Sequence, residues 1–487
     1  MIAFLIYILI FSLLVLLFLP SKQLYLIRLV SLMFSYFAFF FSLLLWVLFD
    51  SSSAKLQFCD EFIWFSYDNL NLVLGVDGIS LFFILLTTFL IPTCLLSCWV
   101  NVRVFVKEFF ITLLLLELLL VLVFSVSDLL LFYVFFEGVL IPMFLLIGFW
   151  GSRERKVRAA YMFFLYTLFG SVLLLLAITY IYLLVGTLNY EVLLSYPFTL
   201  FEQQLLWVSF FASFSTKIPM LPVHIWLPEA HVEAPTSGSV ILAGILLKLG
   251  SYGFLRFSLP LLPEASLFYT PLIFSLSVLG VVYASFTAIR QTDLKRSVAY
   301  TSVAHMNLIV MGVFSFTLIS VEGSLFQSFS HGFVSSSLFL LIGVVYDRYH
   351  TRAIKYYGGL VHVMPLFVSI LFVCSMANIA LPGTSNFVGE FLILAGICEV
   401  NVNAALLGSL GMLIGGPYSL WVFNRVAFGN LKVQYLNGFS DLSKREFFIF
   451  LPLISCVFCF GIFSELLLIP LHCSAAAVIE IASFGYF

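Results

Sequence analysis

Long apolar runs alternate with short polar intervals along almost the whole chain, without the every-second-residue alternation of a lipid-embedded barrel strand. A hydrocarbon core needs roughly 20 consecutive apolar residues per helical crossing. By that criterion the runs predict about fourteen spans, near 2–19, 25–49, 77–100, 108–127, 128–149, 159–185, 204–224, 235–257, 270–288, 297–317, 322–346, 364–398, 404–426 and 446–470. An open sheet would leave backbone N–H and C=O groups unpaired in lipid, so the spans are read as helices. The expected fold is all-α, a polytopic membrane helix bundle with no soluble domain, long linker or low-complexity tract.

Composition supports the pattern. Of 487 residues, 63% are hydrophobic and 9% charged, and the mean hydropathy is +1.16. Soluble domains carry about 25% charged residues, so lipid has to act as the solvent. A net charge of -2 offers no basic face for nucleic acid. The N-terminal run MIAFLIYILIFSLLVLLFLP lacks a preceding basic stretch and a small-residue cleavage site, and is read as the first span. Cys456 and Cys459 form a CxxC, but it stands alone within LISCVFCFGIF, and buried helix packing is expected there.

Charge placement gives an orientation. Lys22 and Arg28, Arg103 and Lys107, Arg153 to Arg158, Arg290 to Arg296, Arg348 to Lys355, and Arg425 to Arg445 all follow odd-numbered spans. Asp50, Asp60, Glu61, Glu191, Glu202 and Glu264 fall in intervals of the other parity. The positive-inside rule therefore puts the ends of odd-numbered spans on the cytoplasmic or matrix side. Arg256, closing the eighth span, breaks the pattern, and the interval after the seventh span lacks Lys and Arg.

Charges left inside the spans are candidates for chemistry. An ionisable group at membrane depth costs at least about 2.5–3.5 kcal/mol on insertion scales. Glu117, Glu137, Lys217, Lys248, His305, His331 and Glu390 all lie within apolar runs. A structural ion pair is the competing reading for Glu117 or Glu137 alone, and hydrogen-bonded packing for His305. Seven such groups over spans four to twelve point instead to a relay. Lys217 precedes Pro219 and Pro222, and LPGTSN interrupts the twelfth span ahead of Glu390. Proline removes a backbone donor and disrupts the preceding turn. Two discontinuous helices in corresponding positions suggest two inverted repeats, with the ion path at the breaks. Spans four to eight would pair with spans nine to thirteen.

His224, Glu229, His231 and Glu233 cluster in HIWLPEAHVEAP, but there is no HExxH and no cysteine partner. A surface turn between spans seven and eight is the preferred reading. No dinucleotide fingerprint, phosphate loop or haem-binding pair marks redox chemistry in this chain.

The segment STKIPMLPVHIWLPEAHVEAPTSGSVILAGILLKLGSYGFLRF resembles the antiporter-like subunits of respiratory complex I. GVDGISLFF, DLLLFYVFFEGVLIPMFLLIGFWG, TDLKRSVAYTSVAHMN, HGFVSSSLFLLIGVVYDRYHTR, LPGTSNFVGEF and YSLWVFNRVAFG fit the same family in order, over roughly residues 70–430. The resemblance implies a membrane subunit that translocates protons, driven by NADH oxidation and quinone reduction in other subunits. Glu137 would be the carboxylate paired with Lys217, Lys248 the central lysine, His305 and His331 the onward links, and Glu390 the group near the exit. Glu117 would be a further buried acid. It also implies no cofactor on this chain, with NADH, FMN, iron–sulfur clusters and ubiquinone in partner subunits. Expected partners are the other complex I membrane subunits, including the sister antiporter-like chains 2 and 5, and membrane lipids. The expected location is the mitochondrial inner membrane, or the plasma membrane of a bacterium. The implied organisation is N-terminal helices at 1–107, a first half-channel repeat at 108–257, a second at 258–430, and a C-terminal helix and tail at 431–487. The rival readings are a multi-subunit cation/proton antiporter and a membrane scaffold in which the charges only clamp helices.

Overall fold

The computed structural model of the chain describes residues 1–65, 70–432, 434–435 and 440–484. It is an all-α membrane helix bundle. Eleven of its described helices are long and apolar enough to cross a membrane, and Ile2–Phe18 and Pro365–Asn378 are shorter apolar helices. Helix ends follow local chemistry. Asp77 and Ser80, Thr199 and Glu202, and Ser443 and Glu446 form capping boxes that satisfy orphan N–H groups at three helix starts. The Lys107 ammonium donates to the carbonyls of Leu17 and Leu19 and so caps the end of the first helix.

Three features depart from the expected pattern. Residues Gln57–Phe65 and Leu70–Val76 pair as an antiparallel hairpin, in the interval read only as polar and acidic. Val73 and Leu74 point their pairing groups at the end of the Val106–Ser125 helix, where the Ser127 N–H donates to the Val73 carbonyl. The run near 446–470 divides into Lys444–Ile462 and a further helix, Glu465–Phe484. The CxxC cysteines are not buried: Cys459 is exposed and Cys456 half-buried, on a helix that turns most of its surface outward.

The chain forms two compact units. The first comprises Met1–Ile218, Lys248–Thr270 and Ile469–Phe487; the second comprises Pro219–Leu247 and Pro271–Leu468. An aromatic cluster centres the first, with Phe132 stacked on Phe136 and both edge-on to Phe214. The core of the second is the Leu318–Tyr349 helix, whose apolar window is wholly buried. Its approach to Ser385–Val400 depends on missing side chains. A Cβ on Gly323 would lie 2.7 Å from the Ile393 nitrogen, and one on Gly389 2.8 Å from the Gln327 Cα. Small residues let helices meet closely where lipid supplies no hydrophobic drive between them.

Candidate functional site

In the first unit the Leu200–Lys217 helix stops at the lysine itself. Pro219 disfavours helical geometry at Ile218, and neither Pro219 nor Pro222 has an N–H to continue the ladder. The lysine cation thus sits at a helix C-terminus, where the macrodipole favours it. Its ammonium lies 3.7 Å from a Glu137 carboxylate oxygen, 3.4 Å from the Phe136 carbonyl and 4.3 Å from the centre of the Phe136 ring. Glu137 is also at a break. Its helix, Leu129–Gly138, ends before Leu140–Trp150 begins, because Pro142 cannot donate to the Gly138 carbonyl. Both members of this pair, the lysine buried and the carboxylate half-buried, therefore stand at interrupted backbone.

Lys248 is wholly buried in the Thr236–Leu261 span, between two π-helical turns at Leu242–Leu246 and Phe254–Ser258. Such turns cluster at functional sites, and nothing in the apolar periodicity announced them. Gly250 and Gly253 let this segment pack on the broken helix. A Cβ on Gly250 would lie 2.4 Å from Ile218, and one on Gly253 2.4 Å from the Phe214 ring. Lys248 is therefore held two residues from the contact that lies next to Lys217. Glu117 is wholly buried in the Val106–Ser125 helix near Cys94, and neither oxygen has a hydrogen-bond partner among the described residues.

Arg256, the exception to the charge pattern, is not a loop cation. It is buried, donates to Asp77 at 2.6 Å and lies over the Tyr190 ring at 4.4 Å. Asp77 meanwhile caps the Gly78–Ser97 helix. Parity counting treated Arg256 as a surface charge, whereas a buried arginine finds its counter-ion in a distant stretch of sequence.

The second unit also sets an acid beside a base at a helix break, with different residues. The chain breaks after Pro365–Asn378: Ala380 and Gly383 take positive φ, 63° and 93°, on either side of Pro382. Glu390 follows in the second turn of Ser385–Val400. One of its carboxylate oxygens lies 2.9 Å from His305 Nδ1 and accepts from Gln327 Nε2 at 3.2 Å. The His305 and His331 rings are 5.5 Å apart between centres. Gln327 and His331 stand one turn apart on the Leu318–Tyr349 helix, facing this cluster. Gln327 escaped the sequence reading because it carries no charge. A cavity of ≈ 40 Å³ adjoins the cluster, lined by His305, Glu390, Thr301, Ser285 and Tyr418. That is room for a few waters with polar partners.

HIWLPEAHVEAP is a correction. It is not a surface turn: Trp226–Glu233 is a helix, with His224, His231 and Glu233 buried. Pro228 falls in the first helical turn, where a missing N–H leaves no helical bond unmade. His231 stacks flat on Phe339, ring centres 4.5 Å apart. The segment also receives basic residues of the second unit. Glu229 pairs with Arg296, the Ala234 carbonyl accepts from Lys295 at 2.6 Å, and the Val232 carbonyl accepts from Arg352. Among the described residues no cluster of three or more His, Cys, Asp or Glu is arranged to hold a metal ion.

The fold is that of a polytopic membrane protein with an acid–base pair beside a helix break in each unit, and comparison with known proteins supplies its family. The family described as NADH:quinone oxidoreductase/Mrp antiporter, transmembrane, matches residues 126–415. NADH-ubiquinone oxidoreductase chain 4 of Arabidopsis thaliana is 54% identical over 470 residues, 96% of this chain and 95% of the relative. The same-named protein of Marchantia polymorpha is 52% identical over 471 residues, 97% of this chain and 95% of the relative. A chain of respiratory complex I from Thermus thermophilus with bound NADH superposes with a TM-score of 0.90 at 29% identity, covering 99% of this chain and 100% of that one. A chain of the Mrp complex from a Dietzia species shares the fold, with a TM-score of 0.86 at 18% identity over 98% of both chains. The chain belongs to this family, and within it to the group of relatives called NADH-ubiquinone oxidoreductase chain 4.

Proposed function

We infer that this protein is a core membrane subunit of NADH:ubiquinone oxidoreductase, complex I, and that it moves protons across the mitochondrial inner membrane while redox chemistry proceeds on other subunits. The observation that carries the proton role is the pairing of a carboxylate with a base at an interrupted helix in each unit: Glu137 with Lys217, and Glu390 with His305. The two repeats, at 108–257 and 258–430, would each supply one pair. NADH, FMN, iron–sulfur clusters and ubiquinone belong in this reading to partner subunits, and the sister chains 2 and 5 and membrane lipids are its neighbours.

The physical logic is an ion pair used as a switch. A buried lysine keeps its proton while a carboxylate is close and loses that support when the carboxylate withdraws. At 3.7 Å the Glu137–Lys217 contact is an ion pair longer than a hydrogen bond, and both partners stand where the helical ladder is already open. Separation would send the Lys217 proton towards Lys248, and closure would reload the lysine. His305 and His331 then pass the proton on to Glu390, with Gln327 holding the acceptor oxygen. Glu117 serves as a further buried acid of the first unit.

Lys217→Met in the assembled complex keeps an unbranched side chain, one atom shorter, and removes its charge. Protons pumped per electron should fall, measured in sealed vesicles against NADH oxidation, with assembly checked by native electrophoresis. An unchanged ratio would remove the switch from the mechanism. Recovery of the chain only in a small assembly without NADH oxidation would favour the antiporter reading.

A further inference from the structure

The cavity beside His305 and Glu390 has a more apolar neighbour of ≈ 60 Å³ within the same unit. Two residues, Asn378 and Tyr418, line both cavities. The second cavity is otherwise walled mainly by Leu, Val, Ile and Phe side chains, and it reaches Leu294, Val345 and Val426. Those three are chain neighbours of Lys295, Tyr346 and Arg425, at the helix ends that charge parity assigns to the basic face.

A polar line runs past the same partition. Ser297, Thr301 and His305 recur every fourth residue on the Leu294–Val313 helix, so they share one face. Thr301 and His305 face the polar cavity and Ser297 the apolar one. Tyr418, buried on the Val402–Ala427 helix, brings its hydroxyl beside those of Ser297 and Thr301. The cavity beside the ionisable pair offers water several polar partners, whereas its neighbour is lined mainly by aliphatic and aromatic side chains. The tyrosine ring stands between the two.

We propose that Tyr418 is the barrier that separates the His305–Glu390 site from the basic face of the membrane. It seals a short route along Ser297 and Thr301 by which protons delivered to Glu390 would otherwise return. Tyr418 is a positioning residue for water: it fills the partition and does not itself carry the pumped proton. The inference rests on the reading that His305 and Glu390 lie on the proton path.

The test is made on the assembled complex in sealed membrane vesicles, following NADH oxidation, proton uptake and passive proton permeability together. Tyr418→Ala joins the two cavities. Expected are a NADH oxidation rate close to that of the wild type, a fall in protons pumped per electron, and a several-fold rise in passive permeability. Tyr418→Phe keeps the ring and should retain the wild-type ratio. Adding Thr301→Val to Tyr418→Ala should restore part of the loss, because the polar line is cut. Should Tyr418→Ala fail to assemble, Asn378→Ala opens the same partition from its other wall and carries the same expectation. Wild-type pumping and permeability in the variant that assembles would overturn the proposal. So would an equal loss in Tyr418→Phe, which would place the effect on the hydroxyl. Glu390→Gln separates the two levels: loss of pumping there with no leak in Tyr418→Ala refutes the barrier alone, whereas undiminished pumping in Glu390→Gln removes the path on which it rests.

Discussion

Burial fixes what single residues can do in this protein. Asp77 and Arg256 form a buried pair 2.6 Å apart, so deleting one partner strands the other in an apolar surround. Asp77→Leu is expected to destabilise the protein by about 3–5 kcal/mol, and the double variant Asp77→Leu with Arg256→Met to recover most of that loss. Thermal inactivation of the solubilised complex measures both. At the second acid–base pair, Glu390 accepts from Gln327 and contacts His305 through the same oxygen. Glu390→Gln preserves size but removes the charge and places an amide against Gln327, and protons pumped per electron should drop while the complex still assembles. Charged members of the site were legible in the sequence because a carboxylate or lysine in an apolar run is conspicuous. Gln327, Tyr418 and the serine–threonine line were not, since uncharged polar residues are common in membrane helices and only packing shows which of them meet.

Helices here are defined as much by where they stop as by where they run. Proline gave away two of the breaks in the sequence, at Pro219 and Pro382, because its effect on the ladder is local, whereas the one at Gly138 ahead of Pro142 lies hidden within a continuous apolar run. The pairing of Gln57–Phe65 with Leu70–Val76 and the helix at Trp226–Glu233 were not legible, for opposite reasons. The first lies in a polar interval outside the apolar-run criterion. The second contains enough charge and proline to read as surface, although other helices of its own unit cover it. Contact between Leu318–Tyr349 and Ser385–Val400 depends on glycines, and a Cβ on Gly389 would also fall 2.5 Å from the Gln327 amide oxygen. Gly389→Ala should therefore cost about 1–3 kcal/mol by overpacking and lower the pumping ratio by displacing Gln327 from Glu390. A variant with wild-type thermal stability and wild-type pumping would show that this contact yields more easily than described.

For the molecule as a whole, orientation is the expectation most open to a direct check. In the second unit, Thr292 adjoins the basic ends of its helices and Glu399 lies at the end of Ser385–Val400, in an interval of the other parity. A membrane-impermeant thiol reagent should label Thr292→Cys from one side of sealed vesicles and Glu399→Cys from the other. Labelling of both from the same side would contradict the charge-parity orientation. Much of the remaining surface is apolar. The Leu24–Leu48 window is 28% buried and that of Val402–Ala427 22%, so their outward faces are left to lipid or to neighbouring subunits. Composition made the membrane setting legible at once, because lipid is the one solvent that suits such a surface. The division into two units was not, since it depends on contacts between segments far apart in the chain.

The two π turns that flank Lys248 also bear on how this gene can change length. A π turn holds one residue more than the regular helix it interrupts, so a one-codon deletion within Leu242–Leu246 has a regular helix to fall back on. The remaining chain would close into ordinary i to i−4 bonding instead of unfolding. The penalty would appear as rotation: one residue corresponds to about 100° around a helix, and Lys248, Gly250 and Gly253, all downstream of the deletion, would turn together away from Phe214 and Ile218. Such an allele would make a folded, inserted protein with its central base turned aside. Within a regular α-helix of the bundle a single-codon deletion finds no surplus residue to absorb it, and is expected to remove the protein altogether.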